Sequence, residues 1–146
     1  MIAIGSDHAG FEYKELLKNL LNEMGKPFQD FGTMSADSVD YPDIGHLVSK
    51  AVASGKFMRG ILICGTGIGM AIVANKHKGI RAAVCESTAS AKLSREHNDA
   101  NILCFGARIS TWETSAEMVR VFLTTPFSGG ERHMCRIEKI HTLTNL

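Results

Sequence analysis

The sequence predicts an α/β fold: a parallel sheet of five strands, doubly wound, with helices on both faces. Three observations carry this expectation. Short apolar runs alternate with helical patterns along all 146 residues, which is the rhythm of βαβ units. The run Ile61-Leu62-Ile63-Cys64 is apolar at every position, as a central parallel strand covered on both faces must be. Directly after it, Gly65, Gly67 and Gly69 form the kind of turn that passes a strand into a helix.

The elements follow in order. Ile2 to Ile4 reads as the first strand. Phe11 to Met24 reads as a helix with Leu16, Leu17, Leu20, Leu21 and Met24 on one stripe and Gly25 as its stop. Phe28 to Phe31 is a weaker second strand. Asp43 to Ser54 is helical, with Ile44, Leu47, Val48, Ala51 and Val52 inward and Gly55 ending it. Ile61 to Cys64 is the third strand, and Met70 to Lys76 a short helix. Ile80 to Val84 and Ile102 to Phe105 are strands four and five, separated by a helix from Ser87 to His97. Ser110-x-x-Glu113 has the form of a capping box for a helix running to about Thr124. Pro126, Gly129 and Gly130 break the chain before a last helix over about 132–143. No repeat, low-complexity tract or long linker divides the sequence, so residues 1–146 are expected to form one Rossmann-like domain. The element count suggests the strand order 2-1-3-4-5.

Bulk properties remove several function classes. Hydrophobic residues make up 45% and charged residues 21%, as in ordinary soluble globular proteins. With a formal net charge of +1, no overall field recruits nucleic acid or an anionic membrane. No apolar run approaches the ~20 residues that cross a bilayer, and the N-terminus lacks the pattern of a signal peptide. Cys64, Cys85, Cys104 and Cys135 form no C-x-x-C pair and read as reduced thiols, which makes the cytoplasm the expected compartment. The six histidines lack metal-ligand spacing and no carboxylate cluster replaces them, so neither metal nor cofactor is expected.

Two polar segments sit at strand ends: Ser6-Asp7-His8-Ala9-Gly10 and Cys64-Gly65-Thr66-Gly67-Ile68-Gly69. If strands one and three are neighbours, these segments share one crevice at the switch point of the sheet. The glycine loop suits a small anion at backbone N–H groups, or is a tight turn demanded by packing. Its spacing is neither the dinucleotide fingerprint nor a P-loop. Cys64 beside these amides is placed to serve as base or nucleophile, whereas the bland reading is a buried apolar cysteine. Asp7 and His8 either cap a turn or hold substrate. Arg132 and Arg136, spaced i, i+4, share a helix face that is either a phosphate grip or a solvated basic surface.

In order along the chain stand Gly5-Ser6-Asp7-His8-Ala9-Gly10, Asp40-Tyr41-Pro42, Cys64-Gly65-Thr66-Gly67-Ile68-Gly69, Ala74-Asn75-Lys76, Gly79-Ile80-Arg81-Ala82 and Ser94-Arg95-Glu96-His97-Asn98-Asp99-Ala100-Asn101. From Met1 to about Leu143 the chain resembles the ribose-5-phosphate isomerase type B family, which also holds subunits of galactose-6-phosphate isomerase. The resemblance implies metal-free interconversion of an aldose phosphate and its ketose through an enediolate. Cys64 would remove the proton beside the carbonyl, Thr66 would help protons move between the adjacent oxygens, and amides from Gly65, Thr66, Gly67, Ile68 and Gly69 would stabilise the enediolate. His97 would assist ring opening. Asp7, His8, Tyr41, Asn98 and Arg108 would hold the sugar, with Arg132 and Arg136 on its phosphate. One departure is Glu131, which stands between the paired glycines and Arg132.

A helix of about eleven residues carries His97 roughly 16 Å from its own strand ends, too far to reach Cys64 of the same chain. The family is similar in building its sites across a homodimer. Donation of His97, Asn98, Arg132 and Arg136 by a partner subunit is therefore expected, in a dimer or a larger homo-oligomer. Rival readings are a six-carbon substrate, such as allose 6-phosphate or galactose 6-phosphate, and a sensor that binds sugar phosphate without turnover.

Overall fold

The computed structural model describes Met1–Leu146. Strands and helices alternate as β1 (Ile2–Ser6), α1 (Phe11–Glu23), β2 (Phe28–Asp30), α2 (Tyr41–Ala53), β3 (Arg59–Cys64), α3 (Ile68–Ala74), β4 (Ala82–Val84), α4 (Thr88–Asn98) and β5 (Ile102–Gly106). Two helices, α5 (Trp112–Thr124) and α6 (Glu131–Thr144), close the chain. All strand pairs are parallel.

The sheet order is β2-β1-β3-β5-β4, which corrects the expected 2-1-3-4-5 at its last two strands. Burial explains the exchange. Every residue of β5 is buried, while β4 has three residues and none of them is fully buried. The longer apolar strand takes the doubly covered place next to β3, and the short one becomes an edge. The neighbourhood of β1 and β3 is as expected, with registers from Ile2↔Arg59 to Ser6↔Ile63.

Side chains alternate across the sheet. Ile2, Ile4, Ile61, Ile63, Leu103 and Phe105 face a core with Leu17, Leu20 and Leu21 of α1 and Met118, Val119 and Phe122 of α5. Ala3, Leu62, Cys64, Ile102 and Cys104 face the other core, with Val48 and Val52 of α2 and Met70, Ala71 and Ala74 of α3. Cys64 therefore belongs to the layer of α2 and α3.

Some inward positions differ from expectation. Leu16 and Leu47 are 40% and 45% exposed, lying on the flanks of their apolar stripes. Lys14 and Ser49 are fully buried instead. The Lys14 ammonium donates to the Asp30 carboxylate, which ties α1 to β2, and the Ser49 hydroxyl donates to the Gly45 carbonyl. The proposed Ser110–Glu113 box gives way to Thr111, whose hydroxyl accepts from the Thr114 N–H at 3.3 Å. Helix α2 opens at Tyr41 with Pro42 in its first turn, where the fixed φ of proline suits a helix start. Helix α3 opens at Ile68, so the second half of the glycine loop is already helical.

Candidate active site

The loop between β3 and α3 turns tightly under its own amides. The Gly67 N–H donates to Cys64 Sγ at 3.1 Å, and Cys64 is 5% exposed. Gly67 adopts φ +80°, and a Cβ there would fall 2.8 Å from the Phe105 backbone. Only glycine meets both demands. The packing turn and the amide-lined thiol are thus one feature. The Ile68 N–H donates to Thr66 Oγ1 at 3.3 Å, and the Thr66 side chain faces solvent at the mouth of the loop.

Three other segments close around this turn. After β5, the N–H groups of Ala107 and Arg108 donate to the carbonyls of Cys64 and Gly65 at 2.9 and 3.0 Å. The Arg108 guanidinium covers Gly65, where a Cβ would stand 3.3 Å from Nη1. The observed strand order is what brings Arg108 here. After β1, the Asp7 N–H donates to the Ile63 carbonyl at 3.2 Å, and Asp7 Oδ1 accepts from the Gly10 N–H at 3.1 Å. Asp7 therefore does shape the turn, as one of its two readings required. His8 Nδ1 lies 3.3 Å from both the N–H and the carbonyl of Val39. Tyr41, first in α2, lays its ring against Gly69, where a Cβ would be 2.7 Å from it. Asp7, His8, Tyr41, Arg108 and the loop from Gly65 to Gly69 thus gather at the carboxyl ends of β1, β3 and β5, on the segments next to Cys64.

His97, Asn98, Arg132 and Arg136 lie elsewhere. β5 pairs with β3 from Gly60↔Ile102 to Cys64↔Gly106. His97 and Asn98 end α4 just before β5 begins, so they sit at the opposite edge of the sheet, about 13 Å back along the strands. The His97 ring stacks on His133 of α6, with centroids 4.3 Å apart and planes 12° apart. Arg132 and Arg136 are exposed and line an open hollow of about 360 Å³ with Cys135 and Lys139. Glu131, the intervening acid, is the first residue of α6, where a negative charge suits the helix dipole. His133 was not singled out by sequence, although it adjoins Arg132. Partial burial, and then the neighbouring His97, Arg136 and Arg132, push its imidazole below the ordinary value.

No group of three or more His, Cys, Asp or Glu side chains is placed to hold a metal ion. No helix is long and apolar enough to cross a membrane. All cysteines are free. Burial raises the Cys85 thiol above its ordinary value and the Cys104 thiol well above it, which fits their apolar role.

A doubly wound sheet that gathers polar loops around one thiol at the carboxyl ends of its strands is the build of an α/β enzyme acting on a small ligand. Comparison with known proteins narrows that class. The chain belongs to the Ribose/Galactose Isomerase family, whose model matches residues 2–140, and is an isomerase. It is 47% identical to ribose-5-phosphate isomerase B of Escherichia coli, over 95% of this chain and 93% of that protein. It is 41% identical to a D-erythrulose-4-phosphate isomerase of Pectobacterium atrosepticum, over 88% of this chain and 86% of that protein. The solved structure of ribose-5-phosphate isomerase B from Clostridium thermocellum matches with a TM-score of 0.96 at 48% identity, covering 99% of this chain and 97% of that one.

Proposed function

We propose that the protein interconverts ribose 5-phosphate and ribulose 5-phosphate through an enediolate, with Cys64 as the base and no metal. The observation that carries this reading is the Gly67 N–H held on Cys64 Sγ inside a polar crevice. In the direction of ketose formation, the Cys64 thiolate takes the proton from the carbon beside the carbonyl. The released electron pair moves into the carbonyl oxygen. Amides from Gly65 to Gly69 stabilise that oxygen, and such preorganised donors are typically worth ~10²–10³-fold. Thr66 assists proton movement between the two oxygens. Cys64 then returns its proton to the former carbonyl carbon, so the net change is one hydrogen moved between the two carbons and one between their two oxygens. Asp7, His8, Tyr41, Asn98 and Arg108 hold the sugar.

His97 assists ring opening, and Arg132 and Arg136 bind the phosphate; these three and Asn98 come from a partner subunit. Two observations support a homodimer, or a larger homo-oligomer built from it. These side chains lie at the far edge of their own sheet, and α6 has no buried residue within its own chain. Its four free thiols suit a reducing compartment such as the cytoplasm. The relative named for a four-carbon phosphate makes substrate length the property to measure, with allose 6-phosphate and galactose 6-phosphate as the six-carbon arms.

The test is turnover of ribose 5-phosphate by wild type and Cys64→Ala, both with chelator. The expected outcome is full wild-type activity and a loss of about 10²–10⁴-fold in kcat for Cys64→Ala. Full activity in Cys64→Ala would remove the proposed base, and loss of wild-type activity in chelator would remove the metal-free mechanism. Tight binding of ribose 5-phosphate without any turnover would establish the sensor reading instead.

A further inference from the structure

Helix α6 carries Arg132, His133 and Arg136, yet little holds it to its own domain. No residue of α6 is buried, so the apolar core of its own chain does not grip it. The linker before it is tied where Ser128 Oγ donates to the Glu96 carbonyl at 2.6 Å. His133 stacks on His97. Further along, a side-chain hydrogen bond between α6 and the preceding elements joins His141 Nε2 to Arg81 Nη1 at 2.9 Å.

Arg81 also holds the end of α4. Its Nε donates to the carbonyls of Asn98 and Asp99 at 2.9 and 3.1 Å. Its Nη2 donates to the Asp99 carbonyl at 2.8 Å and to Asp99 Oδ2 at 3.1 Å. The last carbonyls of a helix lack partners within it, and here one guanidinium satisfies those of Asn98 and Asp99. Asp99 sits in the left-handed region at φ 44°, a costly conformation outside glycine that persists only where the surroundings enforce it. The enforcing groups are Arg81 on one carboxylate oxygen and the buried Arg95 on the other, at 2.7 Å. The base of Arg81 is itself fixed, because its N–H donates to Asn101 Oδ1 at 2.8 Å. A guanidinium has no acceptor. His141 Nε2 must therefore accept, and His141 Nδ1–H donates to the Leu146 carbonyl at 2.7 Å.

We infer that Arg81 is a positioning residue: it spans from the end of α4 to α6, and so sets His97 and Asn98 in register with Arg132 and Arg136. The inference rests on the roles given above to those four residues. It adds that the half-site donated to a partner is one unit, with Arg81 as its strut. Misplacement by about 1 Å can cost a reaction ~10²-fold, so the strut matters although it touches no substrate.

The experiment compares wild type, Arg81→Gln, His141→Gln, His133→Ala and His97→Ala. The activity-independent readout is proton NMR of the histidine rings, since stacked rings shift each other's resonances. In Arg81→Gln the His97 ring protons should move to their position in His133→Ala. On ribose 5-phosphate, Arg81→Gln should lower kcat and raise KM together, each by about tenfold or more. His141→Gln, which breaks only the α6 arm, should raise KM and spare kcat. It also serves as the second variant if Arg81→Gln does not fold. Loss of folded fraction alone would lower apparent kcat with KM and the ring resonances unchanged. A folded Arg81→Gln protein that keeps the stacked-ring shift and the wild-type KM would overturn the strut. Wild-type kinetics in His97→Ala would instead overturn the role of His97, and the ring resonances would still decide for or against Arg81.

Discussion

The two halves of the proposed site are built by opposite means. Around Cys64, main-chain bonds and close packing fix each part: Gly67 against Phe105, Arg108 over Gly65, Asp7 bonded to Ile63. Around His97, exposed side chains stand on the end of α4 and on a helix with no buried residue. The first half is a by-product of folding the sheet. The second half is held by a few polar ties and a ring stack, and it faces away from the thiol it is proposed to serve. On the proposed roles, the chemistry of proton abstraction is preorganised in one chain, whereas ring opening and phosphate binding would depend on assembly.

Substitutions can break this contrast. After Cys64→Ala itself, the largest effect is expected at Gly67→Ala, where a Cβ would collide with the Phe105 backbone at 2.8 Å and the turn that aims the amides would open. Loss of an oriented oxyanion donor predicts a fall in kcat of about 10²–10³-fold, measured with phosphate affinity as control. If the two halves are independent, inorganic phosphate still binds this variant at the wild-type level.

A smaller effect is expected in the other half. In His97→Ala, turnover of ribose 5-phosphate should fall by about tenfold, since a pool of open-chain sugar bypasses the lost acid–base help. A four-carbon sugar 4-phosphate has no free hydroxyl with which to close a five-membered ring. Its turnover should be spared, and equal losses on both substrates would contradict the ring-opening role.

The smallest effect concerns pH. His133 is held below its ordinary value of 6.5, so the unfolded chain takes up this proton before the folded one does. Stability from this group is complete above the unfolded value and declines as pH falls through it toward the lower folded value. Denaturant midpoints between about pH 7.5 and pH 5.5 should therefore drop more for wild type than for His133→Asn. A parallel drop in both proteins would remove His133 from the account.

Much of the first half was legible in sequence because local patterns encode it. The run Ile61 to Cys64 announced a covered strand, and the glycines after it announced a close turn. The exchange of β4 and β5 was harder to read, because strand order is settled by competition for burial. The unbroken apolar run Ile102 to Phe105, against an Ile80 to Val84 segment interrupted by Arg81, was the available signal, and its consequence was the position of Arg108. Leu16 and Leu47 misled because a helical stripe has flanks as well as a centre. Arg81, His133 and His141 carried no spacing signal, since Arg81 meets His141 and His133 meets His97 only when α4 and α6 are brought together. The separation of His97 from Cys64, by contrast, followed from helix length alone and matches the register of β3 and β5.

The most direct test of a site shared between chains is subunit mixing. Cys64→Ala and His97→Ala proteins, each impaired alone, are unfolded together, refolded, and the mixed dimer confirmed by mass or by a purification tag on one partner. Random pairing leaves one intact site in half of the dimers, so activity should return to about a quarter of the wild-type level. Confirmed mixed dimers with no recovery above the separate variants would contradict donation of His97 to the partner's crevice.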